Sequence, residues 1–195
     1  MPDSRGRSLA ALFVSVSLLL AASSCKFGDG ALDEANRLNQ SAGQDIGEIE
    51  KLVAENKDKE ALITRALNAG DAAQARRLMD EAVQAIDRGV EKGASAADKL
   101  TRAAALDVDP TIKEYLRLRA QSVNKALEAF GELRRGVLAF REAIGGADKS
   151  AADRARGGFR QTSERFEQLI NESGRLERQA DEIARRNPEK IKPGP

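Results

Sequence analysis

The 195-residue chain has no histidine and no tryptophan, and only one tyrosine and one cysteine. Histidine is the side chain that ordinarily titrates near neutral pH, so general acid–base chemistry would fall to a strongly perturbed carboxylate or lysine. Its absence excludes Ser-His-Asp hydrolases, His-ligated haem and Glu-x-x-His di-iron bundles, and a single cysteine excludes Cys/His zinc sites as well. No GxxxxGK[ST] or GxGxxG segment occurs, and the Gly145-Gly146 and Gly157-Gly158 pairs have no strand context. A charge of one sign is missing too: 32 basic residues face 31 acidic ones, whereas a domain that holds nucleic acid shows a basic excess. The expectations are therefore no enzyme, no catalytic residue, no cofactor, no metal and no nucleic-acid partner.

Long apolar runs are scarce. Residues 9–22 form one, broken only by Ser15 and Ser17, with Arg5 and Arg7 before it and small residues after it. That is the layout of a secretory signal peptide. Its 14 residues would span roughly 21 Å as a helix, short of the ~30 Å hydrocarbon core of a bilayer. The run ends in Ala21-Ala22-Ser23-Ser24-Cys25. This resembles the lipobox of bacterial lipoproteins, in which a signal peptidase cuts just before a cysteine whose sulfur receives diacylglycerol. Ser23 and Ser24 are the small residues wanted before the cut; Ala22 departs from the leucine commonest one place earlier. The resemblance implies that 1–24 is a cleaved signal peptide, that Cys25 is the lipidation site, with palmitate-type chains holding it to the membrane, and that 25–30 is a short linker. The absence of aspartate at Lys26 resembles the outer-membrane type rather than the inner-membrane type. Removing 1–24 deletes two arginines and one aspartate, leaving 30 charges of each sign.

Beyond Gly30 there is no strand signal; alanine, leucine, arginine and glutamate dominate, and aromatics are 4%. Apolar residues instead recur at alternating steps of three and four, which lines them along one helix face. Between 110 and 145 the stripe is Ile112, Leu116, Arg119, Val123, Ala126, Phe130, Leu133, Val137, Phe140, Ile144, and between 150 and 187 it runs from Ala152 through Phe159, Phe166 and Leu169 to Ala180 and Ile183. Between 71 and 107 it passes Ala75, Met79, Ile86, Val90, Gly93, Ala97 and Leu100; Gly89 and Gly93 thin this segment as for a close helix contact. The least regular segment, 31–69, carries Asn39, Asn56 and Glu60 on its core line. These read either as register-fixing polar residues or as a solvated, partner-facing stretch; the polar run 55–60 favours the second. Punctuation agrees with four segments. Gly70 suits a helix end, Asp71 with Gln74 a helix start, and Asp109-Pro110 an N-cap followed by proline at the first helical position. Asn187-Pro188 closes the last helix, and 188–195 reads as a disordered tail.

Short connections between matched segments force antiparallel neighbours. The predicted fold is all-α: an elongated, antiparallel up-down-up-down four-helix bundle with coiled-coil-like packing, helices near 31–69, 71–107, 110–145 and 150–187. A lipid at Cys25 would stand this rod on the membrane with the turns at Gly70 and Gly145-Gly146 farthest away. That distal end is rich in arginine. Arg134, Arg135, Arg141, Arg154, Arg156 and Arg160 are candidate contacts for an acidic envelope protein or an anionic cell-wall polymer, with a solvated face of i to i+4 pairs as the plainer reading. The expected role is a lipid-anchored structural or adaptor module facing the periplasm. The alternative is a periplasmic ligand-binding or sensory bundle, whose cavity would lie along 39–60.

Overall fold

Two aspartates and a glycine set the ends of the central helices. The computed structural model describes the backbone of residues 7–144 and 149–191, and the side chains of 30–144, 150 and 154–191. Its helices are α1 (Arg7–Asn56), α2 (Lys59–Asn68), α3 (Ala72–Ala105), α4 (Pro110–Ala143) and α5 (Lys149–Arg186). Asp71 starts α3 by accepting the Gln74 N–H at 2.9 Å, and Asp109 starts α4 by accepting the Thr111 N–H at 2.8 Å. Each satisfies an amide that the first turn leaves without a partner. Gly70 sits at φ +75°; the Asp71 N–H reaches back to the Ala66 carbonyl and the Gly70 N–H to that of Leu67. This paired closure needs a left-handed residue that only glycine adopts cheaply.

The fold is an all-α antiparallel bundle, with no strand among the described residues. Register is read from side chains that meet. α1 runs against α3 through Asp45–Lys99 and Glu48–Lys92, at 2.5 and 2.6 Å. α3 runs against α4 through Asp87–Arg134 and Asp80–Arg141, at 2.6 and 2.5 Å. α4 runs against α5 through a Ser122–Ser173 hydroxyl contact of 3.1 Å and Phe130–Phe166 rings 6.1 Å apart. α3 packs on α1, α2 and α4, and α5 packs on α4; α5 has no comparable backbone approach to α1. The fourth side of the bundle is therefore the weakly closed one.

The core lies in blocks. A basal block joins Ala35, Leu38 and Ala42 of α1, Ala96, Leu100 and Ala103 of α3, Ile112, Tyr115 and Leu116 of α4, and Ala180 of α5. A distal block joins Met79 and Val83 to Val137 and Phe140, with Ile63 and Leu67 of α2 and Phe159 of α5 against it. The four stripes of the sequence supply both.

Two sequence expectations need correction. The segment 31–69 is not one helix: it breaks at Lys57-Asp58, where α1 ends and α2 begins. The Asn56 side chain bonds the Leu52 carbonyl at 2.7 Å, and Asn and Asp favour such local bonds over helix continuation. The break re-aims α2, so Ala66 and Leu67 pack beside Leu78, and Lys59 pairs with Glu81 at 2.5 Å. Residues 25–30, expected to form a linker, fall within the backbone of α1. The second correction concerns the tail. Residues 188–191 are ordered: Ile191 is only 3% exposed, in the basal block, and Lys190 reaches Asp109 at 3.0 Å. The Ile191 N–H bonds the Asn187 carbonyl, so proline ends the helix but one further turn folds the chain back over the seam between α1 and α4. Lys190, with the Thr111 amide, holds the Asp109 carboxyl at about 2. Residues 192–195 and the Gly145-Gly146 turn lie outside the described residues.

Glycines mark the closest helix approaches. A Cβ at Gly93 would meet Leu127 at 2.7 Å, whereas Gly89 has open space. A Cβ at Gly136 would lie 2.5 Å from Thr162 Oγ1 and 3.3 Å from the Phe159 ring. Thr162 is held in place by bonds to the Gly158 and Phe159 carbonyls, at 2.8 and 3.0 Å, so it has little freedom to retreat. Gly136→Ala is expected to destabilise by about 1–3 kcal/mol through overpacking. Gly131→Ala, in open space on the same helix, is expected to stabilise by about 0.5–1 kcal/mol. Thermal unfolding of both variants checks the pair; equal shifts would show that α4 and α5 are not in this contact.

Candidate functional site

The side chain of Cys25, the candidate lipidation site, lies outside the described residues. Of the six candidate arginines, Arg134, Arg135 and Arg141 lie on α4 and Arg154, Arg156 and Arg160 on α5. Arg134 and Arg141 point back into the bundle to Asp87 and Asp80 of α3, and the Asp87 bond holds the Arg134 guanidinium above its usual pKa. Arg135 pairs with Glu132 on its own helix at 2.5 Å. Arg154 bonds the Ser150 hydroxyl at 3.0 Å. Arg156 and Arg160 are exposed on α5. Arg134 and Arg141 thus fix the α3–α4 register, a role invisible in a stretch of sequence that contains no aspartate beside them.

A polar cluster crosses the bundle. Arg119 of α4, its side chain 11% exposed, donates through Nη1 to Asn39 Oδ1 of α1 at 2.6 Å and lies 3.4 Å from Glu177 of α5. Its guanidinium carbon stands 5.8 Å from the centre of the Tyr115 ring, within range of a cation–π contact. Arg119 Nε is buried without a hydrogen bond. Tyr115 is 5% exposed, and both side chains lie inside the bundle. Asn39 takes the register-fixing reading, whereas Glu60 is exposed and takes the solvated one. The sequence signal was the interruption of a stripe by Asn39 and Arg119; nothing local singled out Glu177. Asp45 and Lys99 form a second half-buried pair. Burial raises the Asp45 carboxyl, but bonds from Lys99 and Ser95 outweigh it and keep the pKa low.

A void of about 10 Å³ lies between Asn39, Tyr115 and Ile191, room for one water. An open groove of about 340 Å³ runs between Glu48, Lys51 and Glu55 of α1 and Arg88, Glu91 and Lys92 of α3, over Leu52. It falls within the 39–60 stretch but lies outside the core, and cations and carboxylates alternate along it, which selects no ligand charge. Among the described residues no group of three or more His, Cys, Asp or Glu could hold a metal ion, and no helix is long and apolar enough to cross a membrane. Comparison with protein-family models, curated proteins and solved structures gives no match.

Proposed function

We propose that this chain is a bacterial envelope lipoprotein, anchored through a lipid on Cys25 and facing the periplasm, on the outer rather than the inner membrane. It acts as a structural or adaptor module that presents helical surfaces to an envelope protein or a cell-wall polymer. The anchor rests on the lipobox resemblance at residues 21–25. The single observation that supports the adaptor role is the packing: the void among Asn39, Tyr115 and Ile191 holds about 10 Å³, against the roughly 300–1,000 Å³ of a typical small-molecule site. On this reading the outer surfaces are what the bundle offers a partner. The ligand-binding reading has only the open groove of mixed charge beside α1 in its favour.

Photocrosslinkers placed one at a time on exposed positions of α1, α3 and α5 in intact cells test the role. The reading expects discrete high-mass adducts, to one protein or to wall polymer, from a contiguous set of positions. Adducts from no position, together with a small molecule that co-purifies stoichiometrically, would favour the ligand-binding reading instead.

A further inference from the structure

Residues 187–191 lie against the bundle without sharing its backbone bonds. Pro188 has no N–H and cannot continue the ladder of α5. The strap that follows bonds only to itself and to the end of α5: the Asn187 N–H reaches the Ala184 carbonyl at 3.1 Å, and the Lys190 and Ile191 N–H groups both reach the Asn187 carbonyl at 3.0 Å. Among the described residues no backbone hydrogen bond joins 187–191 to α1 or α4. Two side chains hold it in place. Ile191, 3% exposed, closes a notch lined by Ala35 and Asn39 of α1 and by Ile112, Tyr115 and Leu116 of α4. Lys190 donates to Asp109 Oδ2 at 3.0 Å.

Both holds are of a kind that yields. The side chains of the Lys190–Asp109 pair are 40% and 35% exposed, and an exposed pair is weak and screened by salt. The isoleucine leaves a void of about 10 Å³ beneath it, beside Asn39 and Tyr115. Leaving the notch therefore breaks one apolar contact and one surface ion pair, and no backbone hydrogen bond to the helices it covers. Chain ends with so few ties open locally, well before the whole fold does. Asp109 adds a coupling. Its Oδ1 accepts the Thr111 N–H at 2.8 Å while its Oδ2 accepts Lys190, so one carboxylate both starts α4 and fastens the strap.

We infer that residues 187–191 form a latch, which opens and closes over the notch between α1 and α4 while the bundle stays folded. Closed, it shields the notch from solvent, together with the Tyr115 ring and Asn39, the acceptor of the buried Arg119. Open, it presents them at the basal end of the molecule. The inference goes beyond the adaptor reading and holds whether or not Cys25 carries a lipid.

Tyr115 is the only tyrosine, and the chain has no tryptophan, so intrinsic fluorescence reads this notch alone. The test is acrylamide quenching of the full chain in a detergent without aromatic groups, with detergent blanks. Ile191→Asp is expected to raise the quenching constant several-fold at unchanged helical circular dichroism. Asp109→Asn keeps an N-cap, since asparagine caps as well as aspartate, but loses the charge that fastens Lys190. It and Lys190→Gln should each raise quenching by the same smaller factor, and the two together by no more than either alone. Glu189→Gln, exposed on the same strap, should change nothing. Hydrogen exchange of the unaltered chain is the second measure: the Ile191 amide is expected to exchange at least about a hundredfold faster than that of Leu116, because it needs only local opening. Quenching unmoved by Ile191→Asp, unmoved or unequal responses to Asp109→Asn and Lys190→Gln, or Ile191 exchange no faster than that of Leu116 would each overturn the latch. So would loss of the bundle's helicity in Ile191→Asp, because the strap would then be part of the core rather than a cover over it.

Discussion

Leu100→Ala is expected to cost about 3–5 kcal/mol, the upper part of the range for buried leucine truncations. Leu100 is fully buried where α1, α3 and α4 meet. The expected cost is high because of its neighbours. Ala35, Ala42, Ala96, Ala97, Ala103 and Ala104 share its block, and alanine has no side-chain rotamer with which to fill a void. The cavity would persist, and residual cavity volume is what separates mild from severe truncations. Against a typical total stability of about 5–15 kcal/mol, this approaches global unfolding, with a fall in Tm of roughly 10 °C or more. Leu62→Ala serves as the contrast: Leu62 is 40% exposed, and surface truncations stay within about 0.5 kcal/mol. Chemical denaturation of both variants decides the matter. Similar midpoints would mean that the basal block is not a packed core.

The second large effect concerns location. Cys25→Ser is expected to move the chain from the membrane pellet to the soluble fraction of the cell envelope, while the helical spectrum of the bundle stays the same. Each buried CH₂ of an acyl chain contributes about 0.8 kcal/mol, and a single myristoyl chain holds a protein only marginally. Several chains on one cysteine would bind so firmly that their removal changes the partition by orders of magnitude. Among the described residues no helix is long and apolar enough to span a bilayer. The formal charge balance of 32 basic to 31 acidic residues supplies no general attraction to anionic lipid. If the variant stays in the pellet after a high-salt wash, the anchor is elsewhere.

Periodicity read the helices well because it is a local property. The stripes from Ile112 to Ile144 and from Phe159 to Ile183 are the faces that α4 and α5 bury, and Asp71, Asp109 and Gly70 do at the helix ends what their residue types suggest. The failures share a cause: each turns on a partner distant in sequence. Val53 continues the stripe of Ala35, Ala42 and Ile46 without flaw, and only the three-dimensional arrangement reveals that no neighbour covers it. Ile191 follows a proline and looks like tail, yet it finds the hollow between α1 and α4. Arg134 and Arg141 resemble a basic patch until Asp87 and Asp80, 47 and 61 residues away, are placed opposite them. Helix existence is encoded within a few turns; which surface is left for a partner depends on contacts between all of them.

Whether the bundle works at a membrane at all turns on the proposed lipid on Cys25. The most direct measurement is the intact mass of the native protein extracted from cell membranes, with sequencing of its N-terminal peptide. The account predicts a chain that begins at Cys25 and carries diacylglycerol on that sulfur. A native chain with a bare Cys25, or one that retains residues 1–24, would contradict it.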